Sequence, residues 1–189
     1  HAPALLPGHS NGRCILKKHI LFPIVALGLL AGFALAAVLW PLPSRAERLA
    51  ALFSDYCLPN HRGENVVAKA EANLVLRKRS PSSSQWIDQA SGSFISIEAS
   101  YCTVATYHPF ALSEADAKEL LELTSKIVSQ EFPGLAVDPQ LSSSDPDLFE
   151  QGWFVGKIQS PKRWGVFFSA QPNLGQSSNS FLSLTSPTG

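Results

Sequence analysis

The chain has 189 residues with 15 basic and 15 acidic side chains, enough for one globular domain and not comfortably for two. Arg13, Lys17 and Lys18 stand alone near its start; the other 12 basic and all 15 acidic residues follow Pro41, a net of −3 there. A faintly acidic domain lacks the basic stripe that meets phosphates, so no nucleic-acid partner is expected.

The opening residues 1–19 mix Pro, Gly, His and Ser without periodicity and are expected to form a flexible flank. Residues 20–40 (ILFPIVALGLLAGFALAAVLW) carry no charge. At about 1.5 Å per residue such a run spans roughly 31 Å as a helix, close to the hydrocarbon thickness of a bilayer. The same residues could serve as a cleaved signal, with Lys17-Lys18 before the apolar stretch and Ala34-Leu35-Ala36 as the small-x-small site. A retained transmembrane helix is the preferred expectation, because the run continues past that site to Trp40, an interfacial aromatic followed by Pro41 and Pro43. Pro23 falls in the first turn, where a missing N–H costs little. Basic residues ahead of the run place the N-terminus in the cytoplasm and residues 41–189 outside it, a bacterial inner-membrane setting with a periplasmic domain. Gly28, Gly32 and Ala36 recur at intervals of four, which puts a small-residue face on that helix for packing against other transmembrane subunits.

Cys14 precedes the run; Cys57 and Cys102 follow it. The latter two would face an oxidising compartment, where a bridge between them is expected and two buried free thiols are the alternative. Closing a loop of about 46 residues stabilises by at most on the order of 4 kcal/mol. No paired Cys/His spacing points to a metal, haem or redox motif, so no cofactor is expected.

Ser44 is a helix cap, and Leu49, Leu52, Phe53 and Tyr56 give a helix through about Cys57. A weaker helical pattern covers Glu64 to Leu76, whose end could equally start a strand. Arg77-Lys78-Arg79 and the serines after them read as a basic loop. Period-two segments then predict strands at Phe94–Glu98 and Tyr101–Thr106. Ser113 opens the strongest helix, with Ala117, Leu120, Leu121, Thr124, Ile127 and Val128 as its apolar stripe and Phe132-Pro133-Gly134 as its stop. Asp138 to Asp147 reads as a loop, Trp153–Ile158 and Trp164–Phe168 as a hairpin, and Ser180–Thr185 as the last strand. The expected fold is α+β: a transmembrane helix, then an antiparallel sheet of about five strands with two to three helices on one face.

Candidate chemistry is sparse. His61 and His108 have no second ligand at metal spacing and read as surface or structural. Asp145 and Asp147 lack the Gly and terminal Glu of a calcium loop. No nucleophile elbow, phosphate loop or His-Glu-x-x-His occurs, so no enzyme is expected. Alternation forces Phe167 and Phe168 to opposite faces, and it divides Trp153, Phe154 and Trp164 likewise. The outward set is either covered by chain, the simpler outcome, or forms a partner patch drawn from Trp153, Trp164 and Phe167.

Phe53 to Leu58 (FSDYCL), Trp86-Ile87-Asp88, and Ser93-Phe94 leading to Tyr101-Cys102-Thr103-Val104 resemble uncharacterised exported proteobacterial domains with two cysteines. The resemblance covers roughly residues 50–110 and implies a bacterial envelope setting and a two-cysteine domain; no known activity comes with it. The expected function is a non-enzymatic single-pass accessory or assembly subunit of a larger membrane complex, an energy-transducing one among the possible hosts. A cleaved periplasmic domain that binds a small apolar ligand or peptide is the alternative.

Overall fold

Ser44 accepts a hydrogen bond from the Glu47 amide while the Glu47 carboxylate accepts one from the Ser44 amide, a capping box that starts the first helix. The computed structural model describes residues 42–187, apart from Ser144, Pro146, Gln159 and Pro161. The apolar run 20–40, with Gly28, Gly32 and Ala36, lies outside the described residues.

Helix α1 covers residues 45–61: Arg45–Leu52 is α-helical, Phe53–Cys57 a π-helical turn, and Leu58–His61 α-helical again. Helix α2 is short, Val67–Asn73, and the Asn65 side chain accepts from the Val67 amide at its start. Helix α3, Glu114–Glu131, opens on a second capping box between Ser113 and Asp116. Its buried Ala117, Leu120, Thr124 and Val128 follow the helical repeat.

The strands are β1 (Val75–Arg79), β2 (Ser83–Asp88), β3 (Ser93–Glu98), β4 (Tyr101–Tyr107), β5 (Ala136–Ser143), β6 (Phe149–Val155), β7 (Trp164–Gln171) and β8 (Asn179–Thr185). They form one sheet in the order β1-β2-β3-β4-β8-β7-β6-β5, antiparallel throughout. Two four-strand meanders thus meet at the central β4–β8 pair, and α3 carries the chain from the middle of the sheet to its far edge.

Two expectations are corrected. The sheet has eight strands rather than about five, and among the described residues no helix is long and apolar enough to cross a membrane. All five expected strands exist, although the first of the hairpin runs Phe149–Val155 and so starts earlier. The additions are β1, β2 and β5. The second helix stops at Asn73, three residues short of the expected end, because Val75 already pairs with Ile87 of β2.

The helices cover one face of the sheet. Trp86, Ile95, Val104, Leu182 and Phe168 stand opposite one another across β2, β3, β4, β8 and β7. All five are at most 1% exposed and join Leu49 and Phe53 of α1 and Leu120 of α3 in the core. Cys57 ends the π-helical turn and bonds Cys102 of β4, with Cα atoms 5.3 Å apart. Both cysteines are buried in that core. The bridge therefore ties α1 to the middle of the sheet.

Candidate functional site

Period-two alternation sends the other half of the strand residues to the opposite face, and the core does not include them. One register row there reads Ile87, Phe94, Ala105, Phe181 and Ser169 across β2, β3, β4, β8 and β7. The next reads Gln85, Ser96, Thr103, Ser183, Phe167 and Gly152. A third carries Tyr101, Thr185, Gly165 and Phe154. The apolar members form a continuous diagonal: Ile87, Phe94, Ala105 and Phe181, then down one row to Phe167 and another to Phe154. Apart from Ala105, which is buried, these residues are partly exposed. The Phe167 and Phe181 rings lie 5.7 Å apart.

Glycines make the lower end of this band possible. A Cβ on Gly165 would come within 2.8 Å of the Phe154 ring and closer still to the Trp153 carbonyl. A Cβ on Gly152 would sit 2.9 Å from the same ring. Phe154 therefore lies flat over two glycines. A guanidinium stacks at each end of the band: Arg77 lies 4.8 Å from the Phe94 ring centre and Arg163 4.4 Å from that of Phe154. Arg163 is also paired with Asp138 of β5, whose carboxyl it holds below the ordinary range.

The two sheet edges are closed to strand addition. In β1 the register shifts between Leu76 and Lys78, and three consecutive basic residues occupy the strand. In β5 it shifts between Asp138 and Ser142, with Pro139 in the gap. Bulges, charge and proline are the usual protections of an edge. The face opposite the helices carries the partly exposed apolar band.

The residues anticipated as a partner patch fall on both faces. Trp153 is 5% exposed in the core, and Trp164 packs against that core. Phe167 alone lies in the open band. Phe154, Phe181, Phe94 and Ile87 complete it, and their alignment into one band follows from the strand order rather than from alternation within any one strand.

His61 meets Ser186, 125 residues away, through a 2.8 Å contact between Nδ1 and Oγ. The imidazole stacks on Trp164 at 5.0 Å and meets the edge of Phe132 at 5.2 Å. Burial, with Arg62 alongside, pulls its pKa below the ordinary histidine value. A neutral imidazole so held can accept the serine proton, and it also fastens the end of β8 to α1. Its ring is fixed by aromatic packing rather than by a carboxylate on the other nitrogen.

Elsewhere, Asp88 is a buried carboxylate, 3% exposed. Its oxygens accept from Arg48 at 2.6 and 3.1 Å and from the Ser91 amide and hydroxyl. Burial pushes its pKa up, but the bonds from Arg48 and Ser91 outweigh that and hold it below the ordinary carboxylate value. Asp145 and Asp147 are exposed, and Asp147 accepts from the Asn173 side chain at 3.0 Å. A cleft of about 380 Å³ opens beside β1, lined among others by Asn60, Arg79, Ser82 and Glu98. Its Arg79 is engaged by Glu71 at 2.7 Å. Among the described residues no group of three or more His, Cys, Asp or Glu side chains could hold a metal ion.

Compared with known protein families, curated proteins and solved structures, the chain matches none of them.

Proposed function

We propose that this protein is a non-enzymatic accessory or assembly subunit of a larger bacterial membrane complex, with its disulfide-bonded domain outside the cytoplasm. The observation that carries the reading is the continuous apolar band from Ile87 to Phe154 on a sheet face that no helix among the described residues packs against. Contiguous apolar surface of this kind marks interaction sites more often than scattered exposed side chains do. The blocked edges support docking through the face rather than by strand addition. The buried Cys57–Cys102 bridge supports an oxidising compartment, as do the basic residues ahead of the apolar run 20–40. The resemblance to exported two-cysteine domains points the same way.

Extraction of native membranes in mild detergent and native electrophoresis test this. The chain should migrate in an assembly well above its own 20.4 kDa. Migration of the wild type as a free monomer would overturn the subunit reading, and stoichiometric labelling of Ser186 by a fluorophosphonate would overturn its non-enzymatic part.

A further inference from the structure

Charge and shape of the open face say what kind of segment covers it. This inference rests on the docking reading above and names the partner chemistry at the same surface. All the basic residues of the sheet layer stand at its two margins: Arg77, Lys78 and Arg79 in β1, and Lys157, Lys162 and Arg163 around the β6–β7 turn. Strands β2, β3, β4 and β8 carry none. Arg79 is engaged by Glu71 and Arg163 by Asp138. Among the described residues Arg77, Lys78, Lys157 and Lys162 have no ion-pair partner, and of these only Arg77 stacks on a ring of the apolar band. Arg77 stacks on Phe94, so the β1 end of the apolar band finishes in two cations free to meet an anionic group.

Three occupants can be compared. A second copy stacked face to face would set β1 against β1 or against the Lys162–Arg163 turn in either twofold arrangement, so basic margins would meet. A flat bilayer fits poorly, because seven strand pairings at roughly 20–25° each twist the sheet by about 150° across its width. A helix, being narrow, need not follow the twist across the whole sheet, and along the band it fits both length and charge. From β2 to β6 the band crosses five strand spacings of about 4.8 Å and descends two rows, about 13 Å, for a diagonal near 27 Å. An apolar helix face of about 18 residues has that length. We infer that the open face receives an amphipathic helix of a partner protein, about 18 residues long, with acidic residues at the end lying over Arg77 and Lys78.

The test uses the purified full chain and two labelled synthetic 18-residue peptides with the same leucine face. One carries two glutamates at one end, the other two lysines. Fluorescence anisotropy should show the glutamate peptide binding at least tenfold more tightly. The double variant Arg77→Glu/Lys78→Glu should reverse that order, and Phe167→Ser/Phe181→Ser should weaken both peptides at least tenfold. Melting temperatures of both variants close to wild type would confirm that they fold. Equal affinity for the two peptides, or binding to neither, overturns the inference. So does binding to phosphatidylglycerol vesicles, but not phosphatidylcholine ones, that the charge reversal abolishes, since the occupant is then a membrane. A native assembly that survives all four substitutions defeats this inference and docking through the face but leaves the subunit reading standing; a monomeric wild type defeats the subunit reading itself.

Discussion

Removing the Cys57–Cys102 bridge should cost more than any other two-atom change in the domain. The cysteines are 45 residues apart and tie α1 to the central strand β4. Loop-closure entropy for that separation gives about 4 kcal/mol, released when the cross-link no longer restricts the unfolded chain. A domain of this size loses roughly 2–4 °C of melting temperature per kcal/mol, so Cys57→Ala/Cys102→Ala should melt about 12 °C lower than wild type. Both residues are almost wholly buried, at 0% and 1% exposure. A reductant therefore reaches the bridge only when the domain opens, and native protein should resist reduction that denatured protein does not.

Circular dichroism melts of the full chain, wild type against the double variant, read the magnitude. A thiol count in denaturant, with no reductant added, reads the chemistry: one free thiol from Cys14 out of the three cysteines. Three free thiols, or a melting temperature lowered by less than about 3 °C, would refute the argument. The outcome also bears on location, because a structural bridge persists only where the surroundings are oxidising.

Further outcomes rest on the packing and the charges. Asp88→Ala leaves Arg48 and Ser91 without their buried acceptor and should cost about 3 kcal/mol, read by urea denaturation. In the wild type the depressed Asp88 pKa adds stability that is complete above the unfolded value near 4 and is lost as pH falls through the lower folded value; Asp88→Asn should flatten that slope. His61 is also depressed, so the unfolded chain takes up its proton first and stability should fall as pH drops from about 6.5 toward the folded value, a trend that His61→Phe removes. Phe168→Ala should cost about 3–5 kcal/mol, whereas Phe167→Ala, one residue away on the open face, should cost less than about 1.5 kcal/mol; equal costs would show that the face is covered. Gly165→Ala forces a methyl against the Phe154 ring and the β6 backbone and should cost about 2 kcal/mol or more in chemical denaturation.

What the sequence made legible follows the strength of each local signal. Strands β3, β4, β7 and β8 alternate apolar residues with small or polar ones, and α3 carries both a capping box and a helical stripe. Strand β1 was hidden because all five of its residues are exposed and three are charged, which reads as a loop. Strand β2 alternates well, but two of its inward residues are polar: Ser84 accepts from Trp86 in the same strand, and buried Asp88 depends on Arg48, 40 residues away. Strand β5 contains Pro139 and a register shift, so its pairing with β6 has no period to follow. The paired cysteines could be inferred from compartment alone. The contacts of Arg48 with Asp88 and of His61 with Ser186 span 40 and 125 residues, and no local pattern predicts which polar groups such distances unite.

The open band needed both levels. Alternation alone guarantees that Phe167 and Phe168 part company; it cannot say whether Phe167 ends beside Phe181 or beside a serine. Strand order decides that, because β8 lies between β4 and β7 and brings Phe181 into line with Phe94 and Ala105. A face kept only for solvent would alternate apolar-in with polar-out and scatter its exceptions. Here the neighbouring rows hold Gln85, Ser96, Thr103 and Ser183, while the large apolar side chains align and are flanked by stacked arginines. Bulged, charged or proline-bearing edges and an aligned apolar band on the face are the two features on which the proposed docking through the face rests.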